Sequence, residues 1–451
     1  MTKMKYFGTD GIRGRVGEPP ITVDWVLKLG WAAGSVLVEQ FGEDAAVVIG
    51  KDTRISGYLL ESALEAGFSS AGVDMLLLGP MPTPAIAHMT RSMHAAAGVV
   101  ISASHNPFED NGIKFFSREG QKLSDDLQSR IEERLDQALV QVAPERLGKA
   151  WRIDDAIGRY VEYCKGTVTW GTRLDQLKIV VDCANGATYR IAPEALRELG
   201  AEVVNIFNQP DGFNINRECG STHPENLARM VTAERADLGV AFDGDGDRVV
   251  MVDHRGELID GDQILYVLAE ARHANGDLNG GVVGTVMSNF GLEQALAERG
   301  IDFVRSAVGD RHVHEALVER GWVLGGEASG HILCLDRATT GCGIVSALQV
   351  LEVVARSGRK LADLVAGMTK CPQVMINVPS GGNGRTALDG NAEIAAAVSR
   401  AEQALNGQGR VILRPSGTEP VVRVTVEGFD SEQVQQLAEQ LAGSVQRALV
   451  A

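Results

Sequence analysis

The feature that most constrains the fold is a unit that occurs three times: an apolar strand, a small polar loop and an amphipathic helix. The strands begin at Val47, Lys178 and Val282, and the helices follow near 58–71, 190–199 and 291–299. Strands that alternate with helices are typical of α/β domains. Because the units recur a little over a hundred residues apart, they predict three α/β domains of related build. Chance recurrence of a common α/β unit is the alternative.

The segment from about residue 371 has a different pattern. Its apolar strands at 374–378, 411–413 and 421–426 do not alternate with helices, and a closing helix is predicted from about 431. This pattern indicates a small α+β domain. At 451 residues the chain is too long for one ordinary core. We therefore predict three related α/β domains plus a smaller C-terminal α+β domain, with bounds at 1–153, 154–254, 255–369 and 370–451.

One amphipathic helix is predicted over 124–141, near the end of the first domain. Its apolar face consists of residues at helical spacing, namely Leu127, Ile131, Leu135 and Leu139. Ser124 stands where a side chain can cap the first turn.

The charge of the chain limits its partners. The formal net charge is −16 and the isoelectric point is near 5.1, so the chain would repel nucleic acids and anionic membranes. A phosphorylated substrate would need a local basic pocket. No apolar run approaches the ~20 residues of a membrane span, and the N-terminal residues lack a signal-peptide core. Six cysteines occur without metal-ligand spacing. We expect a cytoplasmic protein with no nucleic-acid or membrane partner.

Three aspartates alternate with glycines in the run Asp243-Gly244-Asp245-Gly246-Asp247, and Arg248 follows directly. In an extended segment the three carboxylates would point to one face, where like charges call for Mg²⁺ or Ca²⁺. A solvated turn is the plain alternative. An EF-hand loop is excluded, because its required glycine and glutamate positions hold Arg248 and His254. The arginine suits a phosphate bound beside the metal.

A second loop, at 102–107, follows the apolar strand 97–100 and contains Ser104 and His105. A serine in a tight loop after a strand is a candidate nucleophile, and the adjacent histidine can polarise a phosphate. Taken alone, the loop would be an ordinary turn. Lys114 lies in the same region of the sequence. A hydroxyl, a cation and a predicted metal site together indicate phosphoryl transfer.

Three further glycine-rich loops carry polar groups. The loop 414–420 offers an arginine, two hydroxyls and backbone N–H groups, which suit a phosphate. The loop 325–331 places Glu327 and Ser329 two residues apart, so that both can face the hydroxyls of a sugar. The loop 6–14 holds an arginine. Each of the three would be an ordinary turn on its own.

Taken together and in this order, the loops resemble the α-D-phosphohexomutase superfamily over residues 5 to about 445. Within it, the segments 7–14 and 308–311 are similar to the bacterial phosphoglucosamine mutase branch. The resemblance implies that the four domains surround a central active-site cleft and that each contributes one catalytic loop. Two positions depart from the pattern. Ala328 stands where the branch often carries Gln or Asn, and Cys342 stands where an aspartate is expected.

The resemblance also implies roles for individual residues. Ser104 would be the phosphorylated serine, and its phosphate would bind one Mg²⁺ ion together with three carboxylates, those of Asp243, Asp245 and Asp247. The transferred group would be surrounded by Arg13, His105, Lys114 and Arg248, with Lys114 as general acid or base. The sugar would contact Glu327, Ser329 and His331. The phosphate that does not react would contact Arg414, Ser416, Gly417, Thr418 and Arg423.

The implied reaction of this branch interconverts glucosamine 6-phosphate and glucosamine 1-phosphate through a phosphoserine enzyme. A hexose 1,6-bisphosphate is both intermediate and activator, and the product feeds UDP-N-acetylglucosamine and cell-wall precursor synthesis. We expect a small phosphosugar as the partner and a monomer or homodimer. Phosphoglucomutase or phosphomannomutase activity is the nearest alternative, because one hydroxyl or amine separates the substrates. A metal-dependent sugar phosphatase is a more distant one.

Overall fold

A computed structural model describes residues 4–8, 10–380, 391–415 and 420–450. The strands form four sheets that follow one another along the chain, and helices pack against them. The predicted fold class, three α/β domains followed by a smaller α+β domain, is confirmed. The domain bounds given above stay predictions.

The first sheet has six strands: β1 Ile12–Arg15, β2 Ala46–Lys51, β3 Asp74–Pro80, β4 Ala97–Ile101, β5 Asp110–Ser117 and β6 Ala150–Arg152. Their order in the sheet is β1-β5-β4-β2-β3-β6. The helices of this part are α1 Val23–Phe41, α2 Ser56–Ser70, α3 Thr83–Ser92 and α4 Asp125–Leu135. Strand β2 is parallel to β3 and β4, whereas β5 is antiparallel to β4. Both faces of the central strands are buried, which is why they are continuous apolar runs in the sequence.

The second sheet contains β7 Lys178–Asp182, β8 Glu202–Ile206, β9 Leu238–Phe242, β10 Val249–Asp253 and β11 Leu258–Ile259, in the order β11-β10-β9-β7-β8. The third contains β12 Val282–Thr285, β13 Phe303–Ser306, β14 Leu324–Gly326 and β15 Ile332–Cys334, in the order β13-β12-β14-β15. The helices of these parts are α5 Ala156–Lys165, α6 Ile191–Glu198, α7 Glu225–Glu234, α8 Gly261–Asn275, α9 Phe290–Glu298, α10 Asp310–Arg320, α11 Gly343–Ser357 and α12 Leu361–Val365.

The first three sheets share one plan. Strands β2, β7 and β12, which open the units seen in the sequence, each lie between two parallel neighbours. In each sheet an antiparallel strand then pairs with the last parallel one. The loops that make these connections carry the predicted functional segments, namely 102–109, 243–248 and 327–331. All three loops therefore leave the carboxyl end of a parallel strand, where open α/β sheets bind ligands.

The C-terminal part is a three-stranded antiparallel sheet with two helices. Its elements are β16 Gln373–Pro379, α13 Ala392–Leu405, β17 Gly409–Pro415, β18 Val421–Gly428 and α14 Ser431–Val450, and β18 lies between β16 and β17. Val434, Leu441 and Val445 of the predicted closing helix are buried in a core that belongs to this sheet alone. By contrast, one large apolar cluster runs through the first three domains.

The helix predicted over 124–141 is shorter than expected. Ser124 caps it by accepting a hydrogen bond from the Leu127 N–H, and the helix ends at Leu135. Leu139 is 38% exposed and does not continue the buried face, so that part of the prediction was wrong. The reason is tertiary: the Trp31 indole N–H donates to the Val140 carbonyl at 2.9 Å, which holds the chain against α1. In the described part of the chain, no helix combines the length and apolarity needed to cross a membrane.

Candidate active site

The aspartate run forms the loop of the β9–β10 hairpin and is a turn, not the extended segment considered above. Gly246 adopts φ +72°, a conformation that suits glycine. The turn nevertheless gathers the carboxylates: one oxygen each from Asp243, Asp245 and Asp247 lies within 4.8 Å of the other two. All three side chains are buried.

The electrostatics of this cluster favour a cation. Burial and the two neighbouring carboxylates raise the pKa of Asp243 well above its usual range. Burial also favours protonation of Asp247, but the charges of Lys114 and His331 outweigh it and hold the Asp247 pKa below its usual range. One carboxylate oxygen of Asp245 and one of Asp247 are buried without a hydrogen-bond partner. Such a set of hard oxygen donors fits Mg²⁺.

Ser104 lies directly against the aspartate cluster. Its hydroxyl donates to Asp243 Oδ2 at 2.6 Å, and the residue is 1% exposed. His105 Nδ1 lies 3.4 Å from Ser104 Oγ. Burial, together with the charges of Arg248 and Arg13, lowers the pKa of His105 to about 4. The imidazole beside the serine is therefore neutral near pH 7.

Lys114, on β5, connects the first two domains through charge. Its Nζ lies 3.0 Å from Asp245 Oδ2 and 3.0 Å from Asp10 Oδ2. Asp10 also binds the Arg13 guanidinium. Burial alone would lower the pKa of Lys114, but Asp10, Asp245 and Asp247 raise it above its usual range. The ammonium group thus stays protonated near pH 7, so it can donate hydrogen bonds.

The loop between β14 and β15 places the third domain beside the same cluster. His331 Nδ1 lies 3.6 Å from Asp247 Oδ1, and its Nε2 lies 3.7 Å from Asp310 Oδ2. Burial opposes protonation, but Asp247 and Asp310 raise the pKa of His331 to about 9. Glu327 accepts a hydrogen bond from the Gly309 N–H at 3.0 Å, which ties this loop to the segment 308–311.

A cavity of about 690 Å³ opens between these loops. The predicted site residues that line it are Arg13, Asp247, Arg248, Glu327, Ser329 and His331, and Ala328 lines it as well. Lys114 lines a narrow recess that also touches Asp247 and His331. The volume and the convergent polar groups suit a ligand the size of a sugar phosphate.

Of the residues predicted to bind the distal phosphate, the two that the structure describes do not line this cavity. Arg414 and Arg423 are cross-strand neighbours on β17 and β18, and neither lines the cavity. Burial and the facing Arg423 lower the pKa of Arg414. The predicted contacts Ser416, Gly417 and Thr418 lie outside the described residues. The structure thus brings together the loops of three domains and leaves the described arginines of the fourth apart.

Sequence reasoning missed several polar residues of the site. The Thr83 hydroxyl donates to Asp245 Oδ2 at 2.7 Å, and Lys122 Nζ reaches Asp10 Oδ1 at 3.1 Å and Asp310 Oδ1 at 2.8 Å. Asp10 lies in the loop 6–14 and Asp310 opens α10 within the segment 308–311. Both segments had already been singled out in the sequence, so they were a usable signal. Thr83 and Lys122 carry no such local signal, because their partners lie elsewhere in the chain.

The departure at Cys342 lies in a helix cap. Its Sγ accepts a hydrogen bond from the Val345 N–H at 3.3 Å, at the first turn of α11, and it contacts the Tyr160 hydroxyl at 3.2 Å. An aspartate would cap a helix in the same way. The missing carboxylate is therefore replaced by a buried thiol in a structural position, whereas Ala328 faces the cavity itself.

Comparison with known proteins shows the family. The chain is 59% identical over 446 residues to the phosphoglucosamine mutase of Alkalilimnicola ehrlichii, which covers 99% of this chain and 98% of that relative. The phosphoglucosamine mutase of Alcanivorax borkumensis is also 59% identical, over 445 residues and 99% of each chain. The chain belongs to the phosphoglucosamine mutase family. Its four parts match the phosphoglucomutase/phosphomannomutase alpha/beta/alpha domains I, II and III and the C-terminal domain, at residues 4–140, 158–256, 260–371 and 375–444.

Solved structures share the architecture of this phosphoglucosamine mutase family member. A phosphoglucomutase/phosphomannomutase family protein from Burkholderia thailandensis superposes with a TM-score of 0.80 at 26% identity, over 98% of this chain and 97% of that one. The N-acetylphosphoglucosamine mutase of Aspergillus fumigatus, solved in complex with GlcNAc-6P and magnesium, has a TM-score of 0.68 at 18% identity, over 99% of this chain and 96% of that one. The second likeness shows the common fold.

Proposed function

We propose that this protein is an isomerase that interconverts glucosamine 6-phosphate and glucosamine 1-phosphate through a phosphorylated Ser104. The observation that carries the proposal is the 2.6 Å hydrogen bond from the Ser104 hydroxyl to Asp243, inside a buried cluster of three carboxylates. A cavity that suits a phosphosugar lies beside this cluster. The full-length similarity to phosphoglucosamine mutases supports the choice of substrate.

The reaction would consist of two mirror-image phosphoryl transfers. In the first, a hydroxyl oxygen of the sugar phosphate bonds to the phosphorus on Ser104 and the bond from phosphorus to Ser104 Oγ breaks. The attacking hydroxyl loses its proton, and Ser104 Oγ gains one and becomes a hydroxyl again. The resulting hexose 1,6-bisphosphate turns end for end in the cleft. Ser104 Oγ then bonds to the phosphorus of the other phosphate and loses its proton. The bond from that phosphorus to the sugar oxygen breaks, and the sugar oxygen gains a proton. A closed cleft would keep water away from the phosphoserine between the two steps.

Cationic side chains would surround the group in transfer. Arg13 and Arg248 line the cavity and can each donate two hydrogen bonds to phosphoryl oxygens. Lys114 Nζ lies 3.0 Å from Asp245 Oδ2, at the edge of the aspartate cluster, and this position supports Lys114 as the general acid or base. The neutral His105, 3.4 Å from Ser104 Oγ, would orient the phosphoserine.

Mg²⁺ would be held by Asp243, Asp245, Asp247 and an oxygen of the Ser104 phosphate, one ion per active site. When bound, the ion offsets the negative charge of the phosphoryl oxygens. The unpartnered oxygens of Asp245 and Asp247 support this assignment. A hexose 1,6-bisphosphate would serve as activator, because it can phosphorylate Ser104 in the same site.

Two sets of residues would recognise the rest of the substrate. Glu327, Ser329 and His331 line the cavity and would contact the sugar. The phosphate that does not react would bind in the C-terminal domain, to Arg414, Ser416, Gly417, Thr418 and Arg423. Two arginines that face each other across strands repel, and an anion between them would relieve the repulsion. This arrangement requires the C-terminal domain to approach the cavity. We place the enzyme in the cytoplasm, as a monomer or homodimer.

The decisive experiment compares kcat/KM for glucosamine 1-phosphate, glucose 1-phosphate and mannose 1-phosphate, after priming with a hexose 1,6-bisphosphate. We expect the highest value for glucosamine 1-phosphate. A higher value for glucose or mannose 1-phosphate would favour phosphoglucomutase or phosphomannomutase activity. Steady release of inorganic phosphate instead of the isomer would favour a metal-dependent sugar phosphatase.

A further inference from the structure

The loop that carries Ser104 is held by its backbone carbonyls, and two buried side chains bind both of them. Arg54 Nη2 donates to the carbonyls of Ser104 at 3.2 Å and Asn106 at 2.5 Å. Asn216 Nδ2 donates to the same two carbonyls, at 2.8 Å and 3.0 Å. Arg54 is fully buried and Asn216 is 8% exposed. Each side chain thus clamps the loop on either side of His105.

The clamp holds Ser104 in an unusual conformation. Ser104 has φ +52°, in the left-handed region that non-glycine residues rarely adopt. Its N–H donates to Ser102 Oγ at 2.9 Å. The Ser102 hydroxyl in turn donates to Asp52, and Asp52 pairs with Arg54. Hydrogen bonds therefore hold the peptide groups on both sides of the serine, and left-handed residues at functional sites persist only with such support.

Asn216 adds a link that Arg54 does not, because it belongs to the second domain. It follows β8 in the chain, and its N–H donates to the Ala184 carbonyl at 2.9 Å in the loop after β7. The aspartate loop packs on the same amide: a Cβ atom placed on Gly244 would lie 2.7 Å from Asn216 Nδ2 and 2.7 Å from the Ser104 carbonyl. One amide group thus touches the serine loop of the first domain and the aspartate loop of the second.

We infer that Asn216, from the second domain, is a positioning residue that sets Ser104 Oγ against the aspartate cluster. Arg54 supports the same loop from within the first domain. This inference rests on the proposed role of Ser104 as the phosphorylated residue. Asn216 does not line the cavity, so it acts on the reaction through the serine loop. Loss of its amide would shift the serine relative to Asp243 while sugar binding stays intact, and small misplacements of reacting groups cost up to about 10²-fold in rate.

The test uses Asn216→Gly, because glycine suits the φ of +58° at this position. The full-length variant is primed with glucose 1,6-bisphosphate, and Ser104 phosphorylation is followed in a single turnover by mass spectrometry. We expect the phosphorylation rate and kcat to fall about 10- to 100-fold, with KM for glucosamine 1-phosphate within about threefold.

The matched control is Asn214→Ala, in the same loop. The Asn214 amide donates to the Gln209 carbonyl at 3.0 Å and accepts from the Asp211 N–H at 3.1 Å. Both bonds are exposed and stay within its own loop, so we expect wild-type kinetics. If Asn216→Gly does not fold, the same measurements are made on Asn216→Asp, since aspartate tolerates this φ and lacks the amide donor. Wild-type rates in the folded variant, or a rise in KM alone, would overturn the inference. Failure of the wild-type protein itself to be phosphorylated on Ser104 would instead overturn the proposed function.

Discussion

The proposed site has two parts that are built differently. One is the contact between the serine loop and the aspartate loop, and the other is the arginine pair of the C-terminal domain. Ser104, Lys114 and the three aspartates are buried between domains that share one apolar cluster. Arg414 and Arg423 stand on a sheet with its own core, outside the cavity. That sheet meets the third domain through contacts such as Arg410 Nη2 with the Ser288 carbonyl at 2.5 Å.

The difference indicates that the two parts have separate roles, one in phosphoryl transfer and the other in recognition of the distal phosphate. Phosphoryl transfer needs reacting atoms placed within a fraction of an ångström, and a shared core provides that precision. Recognition of the distal phosphate has to allow the bisphosphate to turn, and a domain with a separate core can move as a unit. The following predictions test this contrast, beginning with the largest expected effect.

Replacing Ser104 by alanine should reduce mutase turnover by roughly 10⁴-fold, because the group that carries the phosphoryl is lost. A coupled assay for glucosamine 6-phosphate measures turnover, and mass spectrometry after priming measures phosphorylation. Ser124→Ala is the control: it removes a helix cap and should cost about 1 kcal/mol of unfolding free energy without loss of activity. Substantial turnover in the Ser104 variant would show that Ser104 does not carry the phosphoryl group.

Replacing Asp245 by asparagine should lower kcat by about 10²-fold or more at fixed Mg²⁺, since one of three charged ligands is lost. A Mg²⁺ titration of activity should also show a higher midpoint. Asp237→Asn, at an exposed carboxylate that accepts from the Lys178 N–H, should leave both quantities unchanged. A titration identical to that of the wild type would refute the metal role of the aspartate loop.

Replacing Arg414 by alanine should raise KM about tenfold or more for glucosamine 1-phosphate and glucosamine 6-phosphate alike, because charge-assisted hydrogen bonds are lost from a shared phosphate site. Steady-state kinetics in both directions measure this. Arg400→Ala, at an exposed position on α13 of the same domain, serves as the control. An effect on one monophosphate alone would contradict the idea that either phosphate uses this site.

The smallest expected effect concerns His88, which packs at the contact between the first two domains. Its ring stacks on Tyr163 of α5 at 3.8 Å, and burial lowers its pKa to about 4. The unfolded chain binds a proton on His88 more tightly than the folded protein does. The contribution of the neutral imidazole to the free energy of unfolding is therefore present above pH ~6.5 and is lost as the pH falls toward 4. His88→Phe should reduce the loss of unfolding free energy between pH 7 and pH 5 by about 1 kcal/mol, after allowance for solvent screening.

Chemical denaturation at the two pH values measures the His88 effect. His273→Gln, at an exposed position on α8, should leave the pH dependence as it is in the wild type. A pH dependence in the His88 variant identical to that of the wild type would show that protonation of His88 does not affect the stability of the contact between the first two domains.

Much of the architecture was predictable because its signals are local. Apolar strands and amphipathic helices indicated the three related domains, and the cap at Ser124 marked the start of α4. The end of that helix was not predictable, because a hydrogen bond from the distant Trp31 draws the chain away. The sequence left open whether the aspartate run is extended or a turn. The pairing of β9 with β10 decides for the turn at Gly246, and the alternation of aspartates does not.

The sequence by itself determined which groups are available: a serine after one strand, three aspartates after another, and arginines in glycine-rich loops. Only the tertiary structure decided which of them meet. It brought Ser104 to Asp243 across 139 positions of chain, added Thr83 and Asn216 as partners, and left Arg414 apart from the cavity. The reason is physical. Motifs depend on neighbours along the chain, whereas contacts between loops depend on how the buried faces of separate sheets pack.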